Sequence, residues 1–118
     1  MTDTKTTGIK EYIENNKERF FDELFSLMRI PSVSAKPEHK EDMQKCAERY
    51  AKLLLEAGAD EAGVFPTEGN PVVFGSKTLD PSYKTVLVYG HYDVQPVCQG
   101  QKGRGEAIHR NFSAFRRA

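Results

Sequence analysis

The run KTVLVY, from Lys84 to Tyr89, constrains this chain more than any other stretch. Its apolar residues do not alternate with polar ones, which is the pattern of a strand covered on both faces, as in the middle of an α/β sheet. Such a strand needs neighbours on its edges and layers above and below. Directly after it come Gly90, His91, Tyr92, Asp93 and Pro96. In extended backbone, residues i and i+2 point to the same side. His91 and Asp93 therefore address one point beyond the carboxyl end of a strand, where open α/β sheets place their ligands.

A metal is the natural occupant of that point. Neutral imidazole suits zinc, and a zinc-bound histidine usually gives its other N–H to a carboxylate that fixes ring orientation and tautomer. His91 is thus the candidate metal ligand, and Asp93 the candidate catalytic-site carboxylate that orients it. A direct ligand role for Asp93 and a structural ion pair closing the strand end are the alternatives. The three letters H-x-D alone do not separate them.

Upstream, apolar residues between Gly8 and Met28 recur at helical spacing, with a gap at Asn15–Asn16. They predict one helix with a weak middle, or two short ones, ended by the Ile30–Pro31 step. "IPSVSAKPE" is an extended loop. A second helix is expected from about Glu38 to Ala57, with Met43, Cys46, Ala47, Tyr50, Leu53, Leu54 and Ala57 on one stripe. Gly58 stands where a left-handed C-terminal glycine belongs. Extended segments are expected at Ala62–Pro66, Pro71–Gly75 and Lys84–Tyr89. The fold class is α/β, an incomplete three-layer sandwich: two N-terminal helices, then about three strands of a mostly parallel sheet.

The 118 residues allow one small domain. The net charge of zero is unevenly spread: residues 99–118 hold five basic residues and one acidic one, leaving an acidic body and a basic tail. The tail (98–118) is expected to be disordered or read out of frame, with at most weak order at Ala107–Phe115. Cys46 and Cys98 form no C-x-x-C pair, so they read as free thiols of a reducing cytoplasm. The polar N-terminus has no signal-peptide core, and no apolar run approaches a membrane span. Cys46 and the aromatics Tyr12, Phe20, Phe21 and Phe25 are read as packing residues. His39 is read as a helix-cap residue, and His109 has no ligand partner at useful spacing.

The strings RIPSVSA (29–35), NPVVFGS (70–76) and TVLVYGHYDVQPV (85–97) together resemble the amino-terminal part of the two-zinc metallopeptidase family. That family includes cytosolic non-specific dipeptidase, carnosine dipeptidase and bacterial dipeptidases. The resemblance covers about residues 9–97. It implies dipeptide hydrolysis with two zinc ions, a histidine ligand at His91 and its bracing aspartate at Asp93. It also implies homodimeric full-length relatives, the dimer domain being absent here.

The likeness stops at Cys98. No aspartate follows Asp93, and KGRGEA (102–107) resembles a Gly-Arg-Gly string of the family but comes too early. The bridging aspartate, the paired glutamates and the remaining ligands are missing. The expectation is therefore residues 1–97 of a zinc-dependent dipeptidase's catalytic domain, holding at most one zinc weakly and inactive as this chain alone. A non-catalytic fragment that pairs with a separately encoded remainder is the alternative. A nucleic-acid binder acting through the basic tail is a weaker one. Neither membrane nor nucleic acid is an expected partner.

Overall fold

The computed structural model describes residues 4–96. The unmatched tail, Cys98, His109 and the expected order at 107–115 all lie outside the described residues. The chain divides into two compact units, one containing the first helix as far as Leu24, the other running from Phe25 to Gln95.

Helix α1 is a single helix, Thr4–Met28. The weak middle at Asn15–Asn16 is bridged rather than broken. Asn16 donates to the Tyr12 carbonyl at 2.8 Å. Arg19 donates to Asn16 Oδ1 and to the Tyr12 hydroxyl, each at 3.3 Å, and pairs with Glu23 at 2.6 Å. The Arg19 guanidinium also lies 4.8 Å from the centre of the Phe20 ring. These i+3 and i+4 pairs carry helix register across two poor helix formers. Ile30 donates to Leu27 O at the helix end, where Pro31 stops further turns.

In the second unit, a 3₁₀ turn at Pro37–His39 leads into helix α2, Lys40–Glu56. Glu41 and Asp42 lie in its first turn, where the helix dipole favours negative charge. Its buried residues, Met43, Cys46, Ala47 and Ala51, form one stripe. Tyr50 and Ala57, expected on that stripe, are exposed, and Leu53 and Leu54 are half-buried. Ala59 N–H donates to Leu54 O and Gly58 N–H to Leu55 O, each at 3.0 Å. That is a Schellman closure, and Gly58 takes the left-handed φ of 101° it requires.

Strands β1 (Glu61–Phe65) and β2 (Val72–Ser76) pair antiparallel, with Gly63 opposite Phe74 and Val64 opposite Val73. Helix α2 packs across both strands. It lies close over Gly75, where a Cβ would stand 3.1 Å from Leu54 Cδ1 and from the Glu61 carbonyl. On the other face Phe65 and Phe74 make an edge contact at 6.4 Å and remain exposed.

The mostly parallel sheet of about three strands expected from the sequence is not seen among the described residues. Among the described residues the sheet has two strands, and they are antiparallel. Lys84–Tyr89 forms no strand, and Val86, Leu87, Val88 and Tyr89 are 80–87% exposed. The reason is physical: strand structure exists only through its ladder and its packed faces. Among the described residues nothing pairs with or covers this run.

Because no atom lies within 4 Å of a Cβ built on Gly58, replacing it tests the backbone alone. Gly58→Ala is expected to lower unfolding free energy by about 1–2 kcal/mol, the cost of a left-handed non-glycine residue. The denaturation midpoint of the variant against the parent checks this.

Candidate metal centre

The segment carrying His91 and Asp93 belongs to no strand and is held in place by the loop after α1. That loop is itself tightly folded. Ser32 N–H donates to Ile30 O at 2.7 Å, Val33 N–H to Pro31 O at 2.8 Å and Lys36 N–H to Val33 O at 3.2 Å. Val33 is buried with Phe25, which seats the loop in the core.

Ser32 is fully buried and bonds the facing segment twice. Its hydroxyl donates to the Tyr92 carbonyl at 3.2 Å, and its own carbonyl accepts the Val94 N–H at 2.9 Å. The buried Cys46 thiol, from α2, donates to the same Tyr92 carbonyl at 3.6 Å. The Tyr92 hydroxyl donates to the Pro71 carbonyl. Residues 92–94 are therefore tied to the loop, to α2 and to the start of the second strand. Burial pushes the Cys46 thiol up from its ordinary pKa, with the Ser32 hydrogen bond opposing, so at neutral pH it remains a thiol able to donate. Burial, then the neighbouring Cys46 and Asp93, raises Tyr92 as well.

From this base the two candidate side chains project outward. His91 Nδ1 and Asp93 Oδ1 lie 4.0 Å apart, with side-chain exposures of 73% and 35%. They share a side, as the i, i+2 spacing requires, but stop short of a hydrogen bond. The other Asp93 oxygen, Oδ2, accepts from the Ser34 hydroxyl at 2.6 Å. Ser34 is fixed from behind, where its carbonyl accepts from the Asn70 side chain at 3.4 Å. The Tyr89 ring meets the His91 ring edge-on at 5.3 Å, and the Tyr89 hydroxyl lies 3.5 Å from Nε2.

Whether these groups suit a metal follows from the donor set. His91 offers an imidazole nitrogen with a carboxylate on its far side, which is the ligand-and-brace half of a zinc site. A catalytic zinc takes three protein ligands. Among the described residues no group of three or more His, Cys, Asp or Glu side chains comes together. His39 pairs instead with Asp42 at 2.8 Å, at the entrance of α2. The pair fits part of a metal site and does not close one.

Sequence reasoning does not single out Ser32 and Ser34 as site residues: their string RIPSVSA carries the family resemblance, but nothing local in it points to Tyr92 or Asp93.

No family model matches the chain. The Cys-Gly metallodipeptidase dug1 of Schizosaccharomyces pombe is 35% identical over 95 residues, 73% of this chain and 20% of that protein. The cysteinylglycine-S-conjugate dipeptidase of Corynebacterium striatum is 30% identical over 94 residues, 80% of this chain and 21% of that protein. The solved structure of the dipeptidase Dug1p from Saccharomyces cerevisiae superposes with a TM-score of 0.70 at 31% identity, covering 77% of this chain and 21% of that one. The chain thus spans about a fifth of the length of the relatives it matches.

Two outcomes follow from the buried anchors. Ser32→Ala leaves the Tyr92 carbonyl with the weak thiol donor alone and is expected to cost about 1–3 kcal/mol. Faster hydrogen exchange at the Val94 amide, beyond that at α2 amides, would show the loss is local. The raised Cys46 pKa gives a pH dependence of known sign. Above the unfolded thiol pKa, about 8.5, the unfolded chain has lost a proton that the folded chain retains, so stability falls as pH rises. Denaturant titrations from pH 7 to 10 are expected to show this decline, and Cys46→Ala to flatten its first part.

Proposed function

We propose that this chain, which belongs to the metallodipeptidase family, contributes one metal ligand and its orienting carboxylate to a zinc-dependent dipeptidase, and hydrolyses nothing alone. The likeness to Dug1p across 77% of the chain carries this reading. Its relatives' names, Cys-Gly metallodipeptidase and cysteinylglycine-S-conjugate dipeptidase, point to dipeptides as the substrate class.

The residues take these roles. His91 presents Nε2 as the ligand atom. Asp93, on the Nδ1 side, accepts a hydrogen bond from Nδ1–H and so holds the neutral tautomer in which Nε2 is the acceptor. The clamp at Ser32, Cys46 and Pro71 fixes the backbone between them. Zinc held by His91 and the further ligands would supply Lewis-acid polarisation of the scissile carbonyl and a lowered water pKa. The general base and the further ligands are not among the described residues, so no proton acceptor stands ready beside a substrate. That is the reason for expecting no turnover by this chain alone.

The complete fold supplies what Lys84–Tyr89 lacks. In this reading the run becomes an interior strand of a mostly parallel sheet, covered by helices of the remaining four-fifths. The free, buried Cys46 suits a reducing cytoplasm. No helix among the described residues is long and apolar enough to cross a membrane.

The test uses Cys-Gly dipeptide and zinc chloride. The purified chain alone is expected to give no hydrolysis. Co-expression with a relative's remaining four-fifths, lacking its own matching segment, is expected to restore it. His91→Ala in this chain should reduce the restored rate by at least about 100-fold, the upper range for a disturbed ligand shell. Hydrolysis by the chain alone, or full activity of the His91→Ala assembly, would refute the reading.

A further inference from the structure

We propose that Ser34 is a positioning residue, which sets the rotamer of Asp93 and through it selects which nitrogen of His91 carries the proton. The inference rests on the reading above only where the metal is concerned. The Asp93–His91 geometry stands without it.

Two serines divide the work on the same segment. Ser32 acts on backbone, holding the Tyr92 carbonyl and the Val94 N–H. Ser34 acts on a side chain, donating its hydroxyl to Asp93 Oδ2 at 2.6 Å. That length is typical of a hydroxyl bonded to a carboxylate, among the stronger neutral-to-charged hydrogen bonds. An aspartate carboxyl otherwise turns over a broad, roughly two-fold torsion. With Oδ2 held, that torsion is fixed, and Oδ1 becomes the oxygen that faces His91 Nδ1 at 4.0 Å. A small side-chain rotation of the exposed imidazole closes the remaining gap to a hydrogen bond. The outcome is an Nδ1–H tautomer with Nε2 left as the acceptor.

The support behind Ser34 is independent of Asp93. The turns from Ile30 to Lys36 and the Asn70 bond to the Ser34 carbonyl fix its backbone. Ser34 is therefore placed before Asp93 meets it, which is what a positioning group needs.

The experiment is long-range ¹H–¹⁵N NMR of the 118-residue chain at pH 8, where an ordinary imidazole is neutral. In the parent, the His91 signals should report mostly Nδ1–H. In Ser34→Ala the ratio of Nδ1–H to Nε2–H should fall about twofold or more, the change given by losing a hydrogen bond at the lower end of its usual worth. Ser34→Thr, which keeps the hydroxyl, should restore it. Protection of the Val94 amide should be unchanged in Ser34→Ala, because that amide depends on Ser32. A ratio unchanged by Ser34→Ala would overturn the proposal, as would an Nε2–H parent.

If Ser34→Ala fails to fold, the parent alone still decides. Its His91 should report mostly Nδ1–H, and an Nε2–H parent would contradict the proposal. Zinc chloride added to the parent separates the two readings. A selective shift of Nε2 supports the metal role of His91. No response to zinc, with the Ser34 effect present, still supports Ser34 as the positioning group, since one ligand and its brace do not close a zinc site.

Discussion

The buried Ser32 holds the candidate site together. Residues 90–96 have no ladder of their own, so their place depends on bonds to neighbouring segments. Ser32 supplies two of them, from hydroxyl and carbonyl, and Cys46 adds a third from α2. A fully buried hydroxyl stripped of its partner would be costly, so the loop and the segment hold each other. Everything proposed for His91 and Asp93 rests on that mutual hold.

The rest of the second unit is thin by comparison. Its buried apolar residues are Phe25, Val33, Met43, Cys46, Ala47 and Ala51, most of them small. Meanwhile Val86, Leu87 and Val88 stand in solvent. Burying each such side chain is worth about 1.5–3 kcal/mol, so this run carries more unused stabilisation than any other part of the unit. The contrast makes physical sense of a segment spanning a fifth of its relatives. The packed portion is local, and the unpacked portion is the apolar run that nothing among the described residues covers.

Legibility in the sequence followed the same division. Helix α2, its closing Gly58 and both strands were readable because their signals are local: an apolar stripe, a glycine after it, turn residues between β-branched runs. The gap at Asn15–Asn16 was ambiguous because the network that bridges it, centred on Arg19, depends on side-chain geometry rather than hydrophobic period. The apolar run at Lys84–Tyr89 has the composition of a strand, yet among the described residues it forms none, because pairing depends on a neighbouring ladder that no local pattern reports. At the site, the i, i+2 spacing made legible that His91 and Asp93 share a side, but not whether the pair is a metal ligand with its brace or an ion pair. Ser32 and Ser34 were not legible, since their bonds to Tyr92 and Asp93 cross 60 and 59 residues of sequence.

The central claim is that His91 gives a metal its Nε2 while Asp93 keeps the opposite side of the ring. It is tested most directly by anomalous diffraction at the zinc edge from crystals of the chain assembled with a relative's remaining four-fifths. The account predicts a zinc peak about 2.0–2.1 Å from His91 Nε2, with an Asp93 oxygen within hydrogen-bond distance of Nδ1. A zinc bound through Nδ1, or a zinc site to which His91 contributes nothing, would contradict it.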